Sequence, residues 1–126
     1  MIETFNVEGA PPAVGPYSHG VACSGTMLYF SGQIALRPDG TFVDGDVAAQ
    51  TRQAFENIRT VLAARGATLN HIVKTTVFLQ SMEDFAAMNA VYAEAFGDHR
   101  PARSAFEVAR LPKDALVEIE VIACVA

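Results

Sequence analysis

Residues 117–125 read Val-Glu-Ile-Glu-Val-Ile-Ala-Cys-Val, VEIEVIACV, and the alternation of this segment decides the fold. Successive side chains of a β-strand point to opposite faces. Val117, Ile119, Val121 and Ala123 therefore share one face, and Glu118, Glu120, Ile122 and Cys124 share the other. The first face is apolar throughout and belongs against a core. The second sets two carboxylates beside apolar neighbours and has two readings. One is a strand with part of a face in water. The other is a partly buried carboxylate whose basicity is raised by desolvation, fit to activate water.

Working back along the chain, Leu111-Pro112-Lys113-Asp114 reads as a turn, and Pro101 precedes a strand at about 103–109. Phe85, Met88, Tyr92 and Phe96 form one apolar stripe at helical spacing, so a helix is expected over 82–96. Ser81 with Asp84 gives its capping box and Gly97 its end. HIVKTTVFL at 71–79 is rich in β-branched residues and predicts another strand. Before it, Val47, Thr51, Ala54, Ile58, Val61 and Leu62 recur at helical spacing, with Asp46 as N-cap and Gly66 as C-terminal stop. GVACSGTMLYFSGQIAL at 20–36 holds two β-rich runs around Ser24-Gly25, read as a hairpin turn. EGAPPAVGP at 8–16, with three prolines and two glycines, is an irregular loop.

The order is strands, helix, strand, helix, two strands. Its economical solution is an α+β fold, a mixed sheet with both helices on one face. The other face is then expected to be apolar and uncovered, which an oligomer would solve.

The 126 residues fit a single domain spanning 1–126. Residues 1–10, MIETFNVEGA, lack the basic start and apolar run of a secretory signal. Cys23 and Cys124 form no metal or redox spacing motif, and the expected compartment is the cytosol. Nine basic residues against 14 acidic ones give a net charge of −5, the wrong sign for a nucleic-acid binder. His19, His71 and His99 are far apart and lack ligand spacing, so no metal is expected. Phosphate-cradling glycine loops and serine-hydrolase elbows are absent. Arg103 follows the rigid pair Pro101-Ala102. Arginine suits a bidentate grip on a carboxylate, but taken alone an arginine after a loop is most often a solvated surface residue.

Several separated blocks, in order, carry a resemblance to a known family. They are Ala10-Pro11 with Gly15-Pro16-Tyr17-Ser18; Ser31-Gly32-Gln33-Ile34; Gln50-Thr51 with Asn57-Ile58; Val73 to Leu79; Phe85 with Asn89 and Tyr92; Pro101-Ala102-Arg103-Ser104; and Leu111-Pro112 with Val117 to Glu120. Together they span nearly the whole chain and resemble the reactive intermediate deaminase (Rid or YjgF) family. The resemblance implies a chorismate-mutase-like fold, a trimer with its sheets packed as a central barrel, and active sites in clefts between subunits. It also implies hydrolysis of 2-imino acids such as 2-iminopropanoate and 2-iminobutanoate to 2-keto acids and ammonia, without a cofactor. Arg103 would hold the substrate carboxylate and Glu118 would activate water. Tyr17, Ser31, Gly32, Asn89 and Ala105 would line the substrate site, Gly32 allowing close backbone approach to the ligand. Two positions depart from the pattern. Ala105 stands where many deaminase-like members carry cysteine, and His19 where glutamine is common. Endoribonuclease activity is the alternative within the family. A non-catalytic ligand-binding or chaperone-like role is the alternative from another class.

Overall fold

The structure is a computed structural model describing residues 1–126. Six strands and two α-helices run in the order β1 (Ile2–Phe5), β2 (Gly20–Cys23), β3 (Thr26–Tyr29), α1 (Val47–Ala63), β4 (Ile72–Leu79), α2 (Phe85–Phe96), β5 (Ala102–Glu107) and β6 (Val117–Val125). The main sheet has the order β3-β6-β4-β5 and is mixed. β6 runs antiparallel to β3 and β4, while β4 and β5 are parallel and joined through α2. Strands β1 and β2 pair antiparallel in a separate two-stranded sheet.

The alternation of β6 sorts as its sequence demands. Val117, Ile119, Val121 and Ala123 are buried, and register brings Thr75, Val77 and Leu79 of β4 beside them. α1 packs over this face. It starts where Asp46 accepts a hydrogen bond from the Ala49 amide at 2.8 Å, satisfying one orphan donor of the first turn. Phe55, Ile58 and Leu62 go fully inside, each worth about 1.5–3 kcal/mol by burial. Phe55 of α1 meets Tyr92 and Phe96 of α2 edge-on, with ring centroids 5.7 and 5.6 Å away.

Two buried or half-buried amides of α1 position the segments that build the site. Gln50 donates to the Val43 carbonyl at 3.1 Å and accepts from the Leu116 amide at 2.8 Å, fixing the entry to β6. Asn57 donates to the carbonyls of Ile34 and Leu36 at 3.1 and 2.8 Å. That pair holds the irregular stretch after β3 against the helix. Side-chain amides do this work because the stretch has no continuous ladder partner for its carbonyls.

Several expectations are corrected. Ser24-Gly25 does not turn a hairpin: β2 pairs with β1 and β3 with β6, so these residues pass the chain between two sheets. β1 itself has no counterpart in the sequence reading. The apolar stripe of residues 85–96 begins its α-helix at Phe85, after a 3-10 turn at Met82–Asp84. Ser81 caps that turn by accepting from the Glu83 amide, without a reciprocal bond from Asp84. The helix-free face is not apolar. Register places Lys74, Thr76 and Phe78 of β4, Ser104 and Phe106 of β5, and Glu118, Glu120 and Ile122 of β6 on it together. Phe78 and Phe106 meet edge-on there, at 5.4 Å. The face is a mosaic in which apolar rings adjoin charged groups.

Candidate active site

Arg103 lies in β5, opposite Thr75 of β4, on the side of the sheet that faces the helices. β5 is an edge strand, so its side chain emerges beside α2 rather than under it. Its guanidinium donates through Nη1 to Asn89 Oδ1 at 2.6 Å. Three rings surround it, with centroids 4.7 Å (Tyr92), 5.5 Å (Phe85) and 5.6 Å (Tyr17) from Cζ. The ion pairs of the chain are Arg59–Glu56 and Arg110–Asp114, so this half-buried cation has aromatic faces and an amide oxygen but no carboxylate partner. Desolvation lowers its pKa, partly offset by Tyr92 and Tyr17, but a guanidinium remains charged at neutral pH.

The support around the cation is rigid. Tyr92 is fully buried, and its hydroxyl shares a 2.7 Å hydrogen bond with Thr75 Oγ1. Burial pushes its pKa up to about 12, so it stays a neutral phenol. Tyr17 is delivered by the proline-rich loop. The Ser18 amide donates to the Pro101 carbonyl at 3.3 Å and Ser18 forms a parallel bridge with Ala102, docking the loop at the start of β5. A side chain at Gly15 would meet Arg103 Nη2 at 3.2 Å, so the loop closes tightly over the guanidinium. His19 braces the same loop. Its Nδ1 accepts from the Val7 amide at 2.8 Å and its Nε2 lies 2.7 Å from the Pro11 carbonyl, which assigns the proton to Nε2.

Glu118 lies on the opposite face of the sheet, paired with Phe78 of β4, which is itself paired with Phe106 of β5. It is half-buried. Desolvation and then the like charge of Glu120 raise its pKa above the ordinary carboxylate value. The segment Ser31-Gly32-Gln33 runs alongside, pinned by reciprocal bonds between Gln33 and Ile119 at 2.8 and 3.0 Å. A Cβ added at Gly32 would overlap Glu118 Oε2 and stand 3.0 Å from its Cδ. The glycine is therefore needed for the carboxylate's own position, which differs from the close approach to a ligand expected of it.

The candidate residues thus form two half-sites. Arg103, Asn89 and Tyr17 gather at one edge of the sheet, with Ala105 one step further along the same face, packed against the core. Glu118 and Gly32 gather on the other face, with Ser31 exposed next to them. Arg103 and Glu118 are separated by two strand spacings and three residues along the strand direction, about 14 Å between backbones, with side chains pointing oppositely. No small ligand touches both within one chain. Phe85 and Tyr92 are the members that sequence reading gave to the core instead. The signal for them is that Phe85, Asn89 and Tyr92 lie four and three apart on one helix face. No cluster of three or more His, Cys, Asp or Glu side chains is placed to hold a metal ion.

Comparison with known proteins agrees with this architecture. A family model described as endoribonuclease L-PSP matches residues 7–125. A RutC family protein of Pyrococcus horikoshii is 52% identical over 124 residues, covering 98% of both chains. A 2-iminobutanoate/2-iminopropanoate deaminase of Escherichia coli is 48% identical over 126 residues, again covering 98% of both. Among solved structures, the YjgF gene product of Escherichia coli superposes with a TM-score of 0.76 at 46% identity, covering 98% of this chain and 99% of that one. Yeast Mmf1 superposes with a TM-score of 0.78 at 39% identity over the whole of both chains. The mixed α+β fold and the near-complete match to the family model establish that the chain belongs to the endoribonuclease L-PSP family, also known as the Rid or YjgF family.

Proposed function

We propose that this protein is a hydrolytic deaminase of reactive 2-imino acids, acting in sites shared between subunits of a homotrimer. The observation that carries the reading is Arg103, a half-buried guanidinium fixed by an amide and three rings and left without a carboxylate. Such a group is built to receive an anion. The deaminase name of the relative at 48% identity supplies the substrate class.

With one Nη1 hydrogen committed to Asn89, Nη2 and the remaining donors are free for a bidentate grip on the substrate carboxylate. The C=N carbon of 2-iminopropanoate or 2-iminobutanoate then sits one bond away from a fixed anchor. Water attacks this carbon as Glu118 takes its proton, forming a tetrahedral carbinolamine. The proton passes on to the amine nitrogen, Glu118 then takes the proton of the carbinolamine hydroxyl as the C=O bond forms, ammonia leaves with the C–N bonding pair, and the keto acid remains. Glu118 suits this role because burial and Glu120 keep it more basic than an ordinary carboxylate. An imine hydrolyses unaided, so positioning and one proton acceptor suffice, without a metal or other cofactor.

Since Arg103 and Glu118 point away from each other within a chain, the pair must come from two copies. The mosaic face bearing Glu118, Phe78 and Phe106 is the surface a neighbour's β5 edge would cover. Closed rotational assembly gives every subunit one of each half-site, and a barrel of three sheets is the form proposed.

The test couples a threonine dehydratase to the purified protein and follows imine loss and keto-acid appearance, with RNA cleavage measured in parallel. Arg103→Ala and Glu118→Gln are then mixed, unfolded and refolded together. Each is inactive alone. Across trimers refolded from an equal mixture about a quarter of sites combine an intact Arg103 with an intact Glu118 from the neighbour, and activity returns to that fraction. Recovery at that level supports the shared site. No recovery in verified mixed assemblies, or RNA cleavage without imine hydrolysis, sinks the proposal.

A further inference from the structure

At the far end of β6 from Glu118, about 20 Å along the strand, three sulfur-bearing side chains converge. Cys23 ends β2 and is half-exposed, whereas Cys124 is buried. Cys23 Sγ lies 3.8 Å from Met27 Sδ, and Met27 is the cross-strand partner of Cys124. Gly25, between Cys23 and Met27, runs so close to β6 that a Cβ there would meet Cys124 Sγ at 3.3 Å and overlap the Val125 carbonyl oxygen. Its φ of +136° keeps that approach open to glycine. The Cys23–Met27 contact, the Met27–Cys124 pairing and the approach of Gly25 bring both cysteines to this one corner, and burial raises the pKa of Cys124. Both are free, and neither has a part in the imine chemistry.

We propose that Cys23 and Cys124 are an oxidisable dithiol, which a hydroperoxide converts to an intrachain disulfide. The solvent-reached Cys23 thiolate attacks the peroxide, breaking the O–O bond. Sulfur is oxidised by two electrons to the sulfenic acid and the peroxide is reduced to alcohol or water. Cys124 then attacks the sulfenic sulfur, the S–S bond forms, and hydroxide departs, leaving as water with the Cys124 proton. The net change is two thiols and one hydroperoxide to one disulfide, one alcohol and one water. Burial of Cys124 makes this second step the slower one.

The bond has a structural consequence. The β1–β2 sheet has no ladder pairing with the main sheet. A Cys23–Cys124 bond staples it to β6, and with it the base of the loop carrying Tyr17. The bond closes a loop of about 100 residues, a length at which cross-linking constrains the unfolded chain strongly.

The test treats the reduced, full-length protein with a slight excess of hydrogen peroxide in the presence of a chelator. The expected result is loss of both thiols, a Cys23–Cys124 cross-linked peptide, and no covalent dimer on a non-reducing gel. The midpoint of thermal unfolding rises by on the order of 5 °C and returns with reductant. Cys23→Ser and Cys124→Ala each abolish the rise. The exposed position of Cys23 keeps its variant folded if the buried one is not. Loss of a single thiol, an interchain bond, or peroxide consumed only as Met27 sulfoxide overturns the proposal. None of these readouts involves imine hydrolysis, so the outcome is independent of the catalytic reading.

Discussion

Gly32→Ala is the substitution whose effect the geometry specifies most closely. The added methyl group would occupy the space of Glu118 Oε2, with Cδ and Cγ at 3.0 and 3.1 Å. The Gly32 backbone yields little, because the adjoining Gln33 is locked to Ile119 by two hydrogen bonds. The carboxylate must therefore move, by about 1 Å to restore an ordinary contact. Glu118 is half-exposed, so its side chain has somewhere to go and the fold survives. A misplacement of this size at a catalytic group costs about 10²-fold in rate. The expected phenotype is a kcat reduced by roughly 30- to 300-fold, with keto-acid product still bound, since Arg103 and Asn89 are untouched. Steady-state kinetics of imine hydrolysis, product titration and circular dichroism on the same preparation check all three parts. Ser31→Ala is the control: it alters the exposed neighbour without touching the carboxylate. A Gly32→Ala enzyme with normal kcat refutes the reasoning, because the position of Glu118 would then be irrelevant to the step.

Arg103→Lys keeps the charge but loses the planar fork, so it cannot satisfy Asn89 and a substrate carboxylate together. The loss of one charge-assisted bond at about 1.5–3 kcal/mol lowers kcat/KM by roughly ten- to a hundredfold, and near-normal kinetics would place the clamp elsewhere. Glu118→Gln removes the proposed proton acceptor and should lower kcat by about 10²–10⁴-fold while product binding holds or tightens. Glu120→Gln, which perturbs Glu118 only through charge, should have a smaller effect on rate. Equal losses in the two variants would leave the mechanism without its base.

The sequence revealed faces better than neighbours. Period two put Val117, Ile119, Val121 and Ala123 on the buried side of β6, and Asp46 marked the start of α1, because each of these signals lies within a few residues. Strand pairing is non-local. The runs flanking Ser24-Gly25 look like a hairpin, but β2 finds β1 and β3 finds β6, nearly 100 residues away. The same limit hid the site's aromatic walls. Phe85 and Tyr92 satisfy a core stripe and also flank a cation, and only the placement of β5 beside α2 discloses the second role. Asn89 was legible through resemblance rather than through chemistry. One asparagine on a helix reads as surface until an arginine arrives 2.6 Å away.

The electrostatics of the two half-sites make a joint claim that neither makes alone. In the chain by itself, Glu118 feels burial and Glu120, both of which raise its pKa. In the proposed assembly a neighbouring copy would bring Arg103 across the cleft, and that cation would favour the ionised carboxylate and lower the pKa again. A substrate carboxylate held there would then neutralise much of the guanidinium's field, and the pKa would climb. As the proposed base, Glu118 must be ionised to accept a proton, so activity should be present above its pKa and lost as pH falls through it. The acid limb of kcat/KM, which reports the free enzyme, should therefore lie at lower pH than that of kcat, which reports the complex. Glu120→Gln should move both limbs downward by removing a like charge. Parallel pH profiles of the two parameters for the native and Glu120→Gln proteins test the ordering. Coincident limbs in the native enzyme would mean that Arg103 and Glu118 do not face each other across one cleft.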